Sequence, residues 1–459
     1  MTFGSDNTSA SPPDTRNQGD FVPFLFPHGT YCLHVPTSSV VAIPSLLAQA
    51  LESRQPEASW TDEQRQLLSG LKAALPAIPP KPQPVKPDIN TIALNVAQSC
   101  NLRCTYCFAG DGDYGKLSMM DKTTAQRTIE FFARGKPRLH VIFFGGEPLL
   151  NFSLIEEVVD FSKSFTETKF TWSITTNGTL LSSRHLEFFH QHGVIVNISW
   201  DGKGVQGTQR PMGPSKSQPP SEVDTKGTSE QILMRKLERF QSELGSLKGV
   251  QLRSTAMKNN LDNFEEGMIH TLTAWNYKFL MGYQATSDKK FAFGPEDVER
   301  LAGIYERVVD RFASAGEFDR LLRLEPMRSH LVKIKRAKKH QIFCLAGIHY
   351  LSVSSTGKFY LCHRFTEDSE ECVGDIDSGI NQSRLERYAS HRLVQHEPCN
   401  SCWMREWCGG GCFHENKVAG GTPFRPDPMF CQLQDLEIRA AMRVYTLLVS
   451  RNVPQLKDL

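Results

Sequence analysis

Cys100-Asn101-Leu102-Arg103-Cys104-Thr105-Tyr106-Cys107 spaces three cysteines as C-x3-C-x2-C, with an aromatic residue just before the last. The apolar stretch Thr91-Ile-Ala-Leu-Asn-Val96 runs into it and reads as a β-strand. Soft thiolates suit iron–sulfur clusters, which ordinarily take four of them. Three on one short loop can hold three irons of a [4Fe–4S] cube and leave the fourth iron open to another ligand. Two plainer readings compete: three buried structural thiols, or a zinc loop that borrows a ligand from elsewhere.

Outward from this loop, strands and helices alternate. Candidate strands are Thr91–Val96, His140–Phe144, Lys169–Thr175, Val194–Ser199, Val250–Thr255 and Tyr277–Gly282. Helical patterns at Lys122–Arg134, Leu154–Phe165, Ser183–His192, Glu230–Leu244 and Asn263–Trp275 separate most of them. Such alternation predicts parallel βαβ units. A helical stretch from Pro295 to Lys339 leads to a second cysteine-rich segment, and Leu436–Ser450 reads as a closing helix before the tail, 436–459.

The polar residues 1–20 are expected to be a disordered tail. Residues 21–78 form a small unit. Its strands are predicted at Phe21–Phe26, Tyr31–Val35 and Val40–Ile43, and its helices at Pro44–Glu52 and Asp62–Leu75. The size suits either a peptide-docking module of the winged-helix kind or a cap on the next domain. Residues 79–90 are a stiff proline-rich linker.

The length of 459 residues allows two or three domains. A net charge of +2 with 22% charged residues shows no nucleic-acid footprint, and no apolar run reaches membrane-spanning length. The first twenty residues lack the apolar core of a signal peptide. Twelve cysteines, clustered at 100–107 and 344–431, argue for metal sites rather than disulfides. The expectation is a cytoplasmic protein working under low oxygen, with no nucleic-acid or membrane partner.

The C-x3-C-x2-C loop resembles the signature of the radical S-adenosylmethionine (SAM) superfamily, in which the open iron chelates the methionine part of SAM. The resemblance implies an α/β fold, a partial (β/α)6 barrel over residues 91–330. Gly204–Gly227, rich in Pro, Ser, Lys and Gly, would be a mobile loop over its mouth. Ligand sites of parallel sheets lie at the carboxyl ends of strands, and the other motifs fall there. Gly145-Gly146-Glu147-Pro148 resembles the family's GGEP motif for the SAM amino group, with Glu147 supplying charge. Thr175-Thr-Asn177-Gly resembles a segment near the SAM ribose and carboxylate. Tyr106, Ser199 and Arg253 complete the expected SAM-binding set. The implied chemistry is reductive homolysis of SAM to a 5′-deoxyadenosyl radical that abstracts hydrogen from a substrate.

The second segment reads C-x12-G-x4-C…C-x2-C-x5-C-x3-C…C, from Cys344 through Gly357, Cys362, Cys399, Cys402, Cys408 and Cys412 to Cys431. It resembles the seven-cysteine SPASM domain, placed at 331–435, which carries two auxiliary [4Fe–4S] clusters. Alone, Cys399, Cys402, Cys408 and Cys412 also suit a zinc ribbon. The resemblance assigns Cys399, Cys402, Cys408 and Cys431 to a distal cluster and Cys344, Cys362 and Cys412 to a nearer one. Cys372 is a candidate for the nearer cluster's remaining position. Otherwise that iron stays open, a natural dock for a substrate thiolate.

The run Tyr106-Cys-Phe-Ala-Gly-Asp-Gly-Asp-Tyr-Gly115 resembles thioether-forming peptide maturases, such as those acting on six-cysteine peptides and on the small subunit of quinohemoprotein amine dehydrogenase. It implies carbon–sulfur bond formation on a cysteine-containing peptide or small protein, with or without a leader. A low-potential donor such as flavodoxin or ferredoxin would supply electrons. Asp201, in Ser199-Trp-Asp201-Gly202, is the candidate base, with a structural Asp-Gly turn as its alternative. The acidic residue that the family carries shortly before an arginine is missing in Gln206–Arg210. An anaerobic sulfatase maturase (Cys or Ser to formylglycine) and a carbon–carbon cross-linking or epimerising maturase are the alternative enzymes. An iron–sulfur scaffold or electron carrier is the non-catalytic one.

Overall fold

β4 (Thr91–Gln98) is buried along almost its whole length, as a strand covered on both faces must be. In this computed structural model, which describes residues 19–80, 86–213, 226–283, 286, 288, 290–339 and 342–459, it is the hub of the main sheet. β6 (Arg138–Gly145), β7 (Lys169–Thr176), β8 (Ile195–Ser199), β9 (Val250–Ala256) and β10 (Lys278–Tyr283) add to it in chain order, all parallel. Leu94 stands opposite Phe143, Ile174 opposite Val196, and Ile198 opposite Leu252, so one apolar layer runs across the sheet.

Helices Lys122–Ala133, Phe152–Ser162, Ser183–His192, Ser229–Arg239 and Leu261–Ala274 fall between these strands and bury their apolar faces. Local chemistry starts several of them. Asp121 caps the first by accepting from the Thr124 amide, and Thr228 with Gln231 forms a reciprocal capping box. Parallel order places every carboxyl end on one side, so the connecting loops converge there. The short β5 (Ser118–Met119) folds back antiparallel onto the end of β4. Of the expected loop Gly204–Gly227, residues 214–225 lie outside the described part, as do 1–18 of the tail and 81–85 of the linker.

The expected helical stretch Pro295–Lys339 is three helices, Pro295–Ser314, Phe318–Leu321 and Met327–Lys335. Gly316, in a left-handed conformation, ends the first, and Pro326 precedes the last. β11 (Leu324–Glu325) intervenes and pairs with β10. On the other side of β4, β12 (Tyr350–Val353) is parallel to it, followed by antiparallel β13 (Lys358–Tyr360), β14 (Cys372–Asp375) and β15 (Gly379–Ile380). The cysteine-rich segment is thereby hydrogen-bonded into the same sheet as the 100–107 loop. The closing helix begins at Pro428, earlier than the expected Leu436, because Asp427 caps it by accepting from the Met429 amide. Cys431 therefore sits in its first turn.

β1 (Phe21–Phe26), β2 (Gly29–His34) and β3 (Ser39–Ala42) form a separate antiparallel sheet with helices Ser45–Glu52 and Asp62–Ala74. Cys32, fully buried, belongs to the small core of this unit. Phe24 meets Trp403 edge-on at 5.7 Å, the Arg439 guanidinium lies over both rings, and His28 bonds Thr446 at 2.8 Å. Among the described residues no helix is long and apolar enough to cross a membrane.

Candidate active site

The loop after β4 carries Cys100, Cys104 and Cys107 into one cavity. Gly145 and Gly146 from β6, Thr175 and Asn177 from β7, Ser199 from β8, Arg253 from β9 and Tyr283 from β10 line the same cavity, as does Tyr106. Glycine is required where loop and turn meet. A β-carbon on Gly146 would lie 2.2 Å from the Gly112 carbonyl oxygen and 2.3 Å from that of Ser99. The Gly146 and Glu147 amides donate to the Ala97 and Ser99 carbonyls, each at 2.8 Å, and lock the turn to the cysteine loop.

Burial pushes the Cys100, Cys104 and Cys107 thiols up, Cys104 to about 11. Donors nonetheless point at sulfur. The Leu102 amide lies 3.4 Å and the Asn177 Nδ2 3.8 Å from Cys100 Sγ, and Arg210 Nη1 lies 3.9 Å from Cys104 Sγ. Buried thiols that share a cavity with such donors become thiolates when a metal compensates their charge. Among the described residues no three His, Cys, Asp or Glu side chains gather as ligands of a single metal ion. Three soft donors on one loop fit a multi-iron cluster better than a zinc ion.

Three expected residues, Glu147, Pro148 and Asp201, do not reach the cavity wall. The Glu147 carboxylate is fully buried and accepts hydrogen bonds from the Leu149 amide (3.1 Å), Thr176 Oγ1 (2.7 Å) and the Asn177 amide (2.7 Å). Burial raises it to about 7 against those bonds. It therefore holds the β7 strand end in place, and the glycine backbone beside it faces the cavity. Pro148, also buried, starts the following 3-10 turn. Asp201 is likewise saturated. Its Oδ2 accepts from Tyr106 Oη and from Arg210 Nε (2.9 Å), and its Oδ1 from Arg210 Nη2 (3.2 Å) and the Thr255 amide (3.0 Å). A carboxylate so engaged orients Arg210 and Tyr106, and its expected role as the base requires one of these donors to give way.

The sequence reading gave no role to Arg210, His363 and Arg364, which also line the cavity. His363 Nδ1 bonds Tyr350 Oη at 2.6 Å, and burial keeps the ring neutral. Arg364 pairs with Glu415. Arg253 has no carboxylate partner among the described residues, and burial with Arg364 and Arg210 nearby lowers it to about 10. Three arginines against two carboxylates leave the cavity suited to an anion. The available signal was position, since His363-Arg364 directly follow Cys362.

The remaining thiols divide into two groups. Cys344, Cys362 and Cys412 perturb one another, and Arg364 bears on Cys362 and Cys412. Cys399, Cys402, Cys408 and Cys431 perturb one another separately. Cys372 donates its thiol to the Gly374 carbonyl at 3.4 Å, within its own strand. Tyr114 lies between the first loop and Cys362, within the field of Cys100, Cys107 and Cys362.

Residues 94–217 match the model of the radical SAM superfamily, so the chain carries a radical SAM domain. Such a domain implies SAM and a [4Fe–4S] cluster, which the three-cysteine loop and the anion-suited cavity accommodate. A cysteine-type anaerobic sulfatase-maturating enzyme of Clostridium novyi is 22% identical over 367 residues, covering 73% of this chain and 90% of that one. The radical SAM cyclopropyl synthase TigE of Paramaledivibacter caminithermalis is 21% identical over 369 residues, covering 76% and 73%. The solved structure of anSMEcpe with bound AdoMet and Cp18Cys peptide shares the fold, with a TM-score of 0.62 at 17% identity over 79% of this chain and 99% of that one.

Proposed function

We propose that this protein is a radical SAM oxidoreductase that modifies a ribosomally made, cysteine-containing peptide or small protein, forming intramolecular thioether cross-links. Cys100, Cys104 and Cys107 would hold the SAM-binding cluster. Cys399, Cys402, Cys408 and Cys431 would hold a distal auxiliary cluster of a SPASM domain at 331–435, and Cys344, Cys362 and Cys412 a nearer one. Held there, the cluster and SAM would supply radical hydrogen-abstraction chemistry toward the substrate. The backbone at Gly145–Gly146, with Tyr106, Thr175, Asn177 and Ser199, would position SAM, and Arg253 would take its carboxylate.

The observation that carries the thioether reading is the Cys344–Cys362–Cys412 trio. It offers three thiols, the Cys372 thiol is turned to its own strand, and His363-Arg364 connect the trio to the SAM cavity. Three protein thiolates leave one iron position to a soft ligand such as a substrate cysteine. A flavodoxin- or ferredoxin-like donor would deliver the electrons. The unit 21–78 would serve as the peptide-docking module, in a cytoplasmic setting.

Formylglycine formation is the second reading, favoured by the 73% coverage of this chain by the sulfatase-maturating relative. Anaerobic co-expression with a small cysteine-rich protein encoded beside this one separates the two. Loss of two hydrogens per modified cysteine, with thiols no longer alkylatable, supports thioether formation. Conversion of a single cysteine to an aldehyde supports the second reading, and an unchanged mass with SAM consumed excludes this partner or this reaction.

A further inference from the structure

We infer that Tyr283, Tyr305 and Glu437 form a buried relay that carries a proton from the SAM cavity to a second groove on the protein surface. The inference rests on the oxidative reading above. Tyr283, at the end of β10, lines the SAM cavity. Tyr305, on the helix Pro295–Ser314, lines a different groove, bounded by Phe24 and Phe26 of β1, that helix and the helix Pro428–Ser450. The two hydroxyls lie 3.5 Å apart, so the pair spans the wall between the cavities.

Glu437, from the closing helix, lies against both hydroxyls and is 2% exposed. Its Oε2 accepts from Gln434 Nε2 at 2.7 Å, and the Tyr283 and Tyr305 hydroxyls are hydrogen-bonding neighbours of the carboxyl. A buried carboxyl beside two hydroxyls adjoins the groups best able to hand it a proton. The other groups around it are His330, with Nε2 at 3.8 Å, Lys333, whose Nζ donates to the Trp407 carbonyl at 3.0 Å, and, acting through its charge, Cys408. Burial raises Glu437 to about 8, where an acid both takes and returns a proton near neutrality.

The chemistry requires such an outlet. Joining R–S–H and R′–H as R–S–R′ breaks one S–H and one C–H bond and forms one C–S bond. One hydrogen leaves as an atom to the deoxyadenosyl carbon. The other leaves as a proton, with its electron passing to an iron–sulfur acceptor. Behind the cavity wall Asp201 is saturated, and in the cavity Arg210, Arg253 and Arg364 oppose an added proton. Glu437 lies one hydroxyl beyond them.

The test uses the cluster-loaded protein with Glu437→Gln and Tyr305→Phe, and it has two independent readouts. In the infrared spectrum, wild type shows a protonated buried-acid band that is absent in Glu437→Gln. This band shifts promptly on transfer to heavy water, and Tyr305→Phe slows the shift about tenfold or more. With a cysteine-containing peptide, wild-type product formation rises with pH through the titration of that band. Both variants lose this rise and consume about tenfold more SAM per product. A band that exchanges over hours in wild type, or variants with the wild-type pH profile and SAM-to-product ratio, overturn the relay. Wild type that makes no oxidised peptide yet exchanges the Glu437 proton promptly retains the relay and refutes the oxidative reading instead.

Discussion

Cys100 and Gly112 are packed so closely that a β-carbon at Gly112 would fall 2.4 Å from the β-carbon of Cys100. Gly112 also holds a left-handed backbone, φ +80°. The run Ala109–Gly115 thus folds back onto the first cysteine, and Gly112 has a packing reason beside the functional one. Tyr114, in the same run, reaches within 3.4 Å of both the Asn95 side chain and the Gly145 carbonyl. The cysteine loop is therefore clamped between its own tail and the turn after β6.

Gly112→Ala pushes Cys100 out of position and adds about 1–2 kcal/mol of backbone strain. Iron and sulfide per chain should fall by roughly a third, the share of one of the three proposed clusters. A full complement in this variant would show that the loop tolerates displacement.

The division of the thiols makes a sharper statement. Replacing Cys399, Cys402, Cys408 and Cys431 by alanine should remove about a third of the iron and leave SAM cleavage measurable. Cys372→Ala should leave the iron content unaltered, because its thiol is engaged within its own strand. Iron loss in Cys372→Ala would make it the missing ligand.

Asp201→Asn strips Arg210 of its buried partner and should cost about 3 kcal/mol or more in denaturant unfolding. Activity should fall without displacement of the pH optimum, because the carboxylate is engaged by Tyr106, Arg210 and the Thr255 amide. A shift of the optimum would restore the base role.

Much of the fold was legible because parallel strands buried on both faces leave long apolar runs. The six strands found in β4 and β6 to β10 differ from their expected bounds by only a residue or two. What the sequence hid is tertiary. Nothing in Pro295–Lys339 showed that Leu324–Glu325 would be drawn out to pair with β10. In the site, residues whose backbone touches the cavity were readable from glycines and strand ends. The directions of the Glu147 and Asp201 carboxylates were not, because a motif gives a residue type and no direction. Whether a carboxylate faces a cavity or an arginine behind the wall depends on contacts such as Asp201–Arg210, which the chain makes only once folded.

Stability should also depend on pH through two buried acids. Glu147 and Glu437 rise from 4.5 to about 7 and about 8, so the folded chain holds protons that the unfolded chain releases. Their contribution is complete below about pH 4.5 and is lost as pH climbs to about 8. Histidines held low by burial, such as His185 at about 4, act oppositely below about pH 6.5, which leaves roughly pH 6.5–8 as the clean window. Denaturation midpoints should fall across it in wild type and fall less in Glu437→Gln. Parallel curves would show that Glu437 does not titrate there.

The most direct test of the account is SAM turnover by the anaerobically reconstituted protein under a strong reductant, with Cys104→Ala as the control. The account predicts 5′-deoxyadenosine and methionine in equal amounts from wild type and none from the variant. Intact SAM beside a wild-type protein carrying its full iron would contradict it.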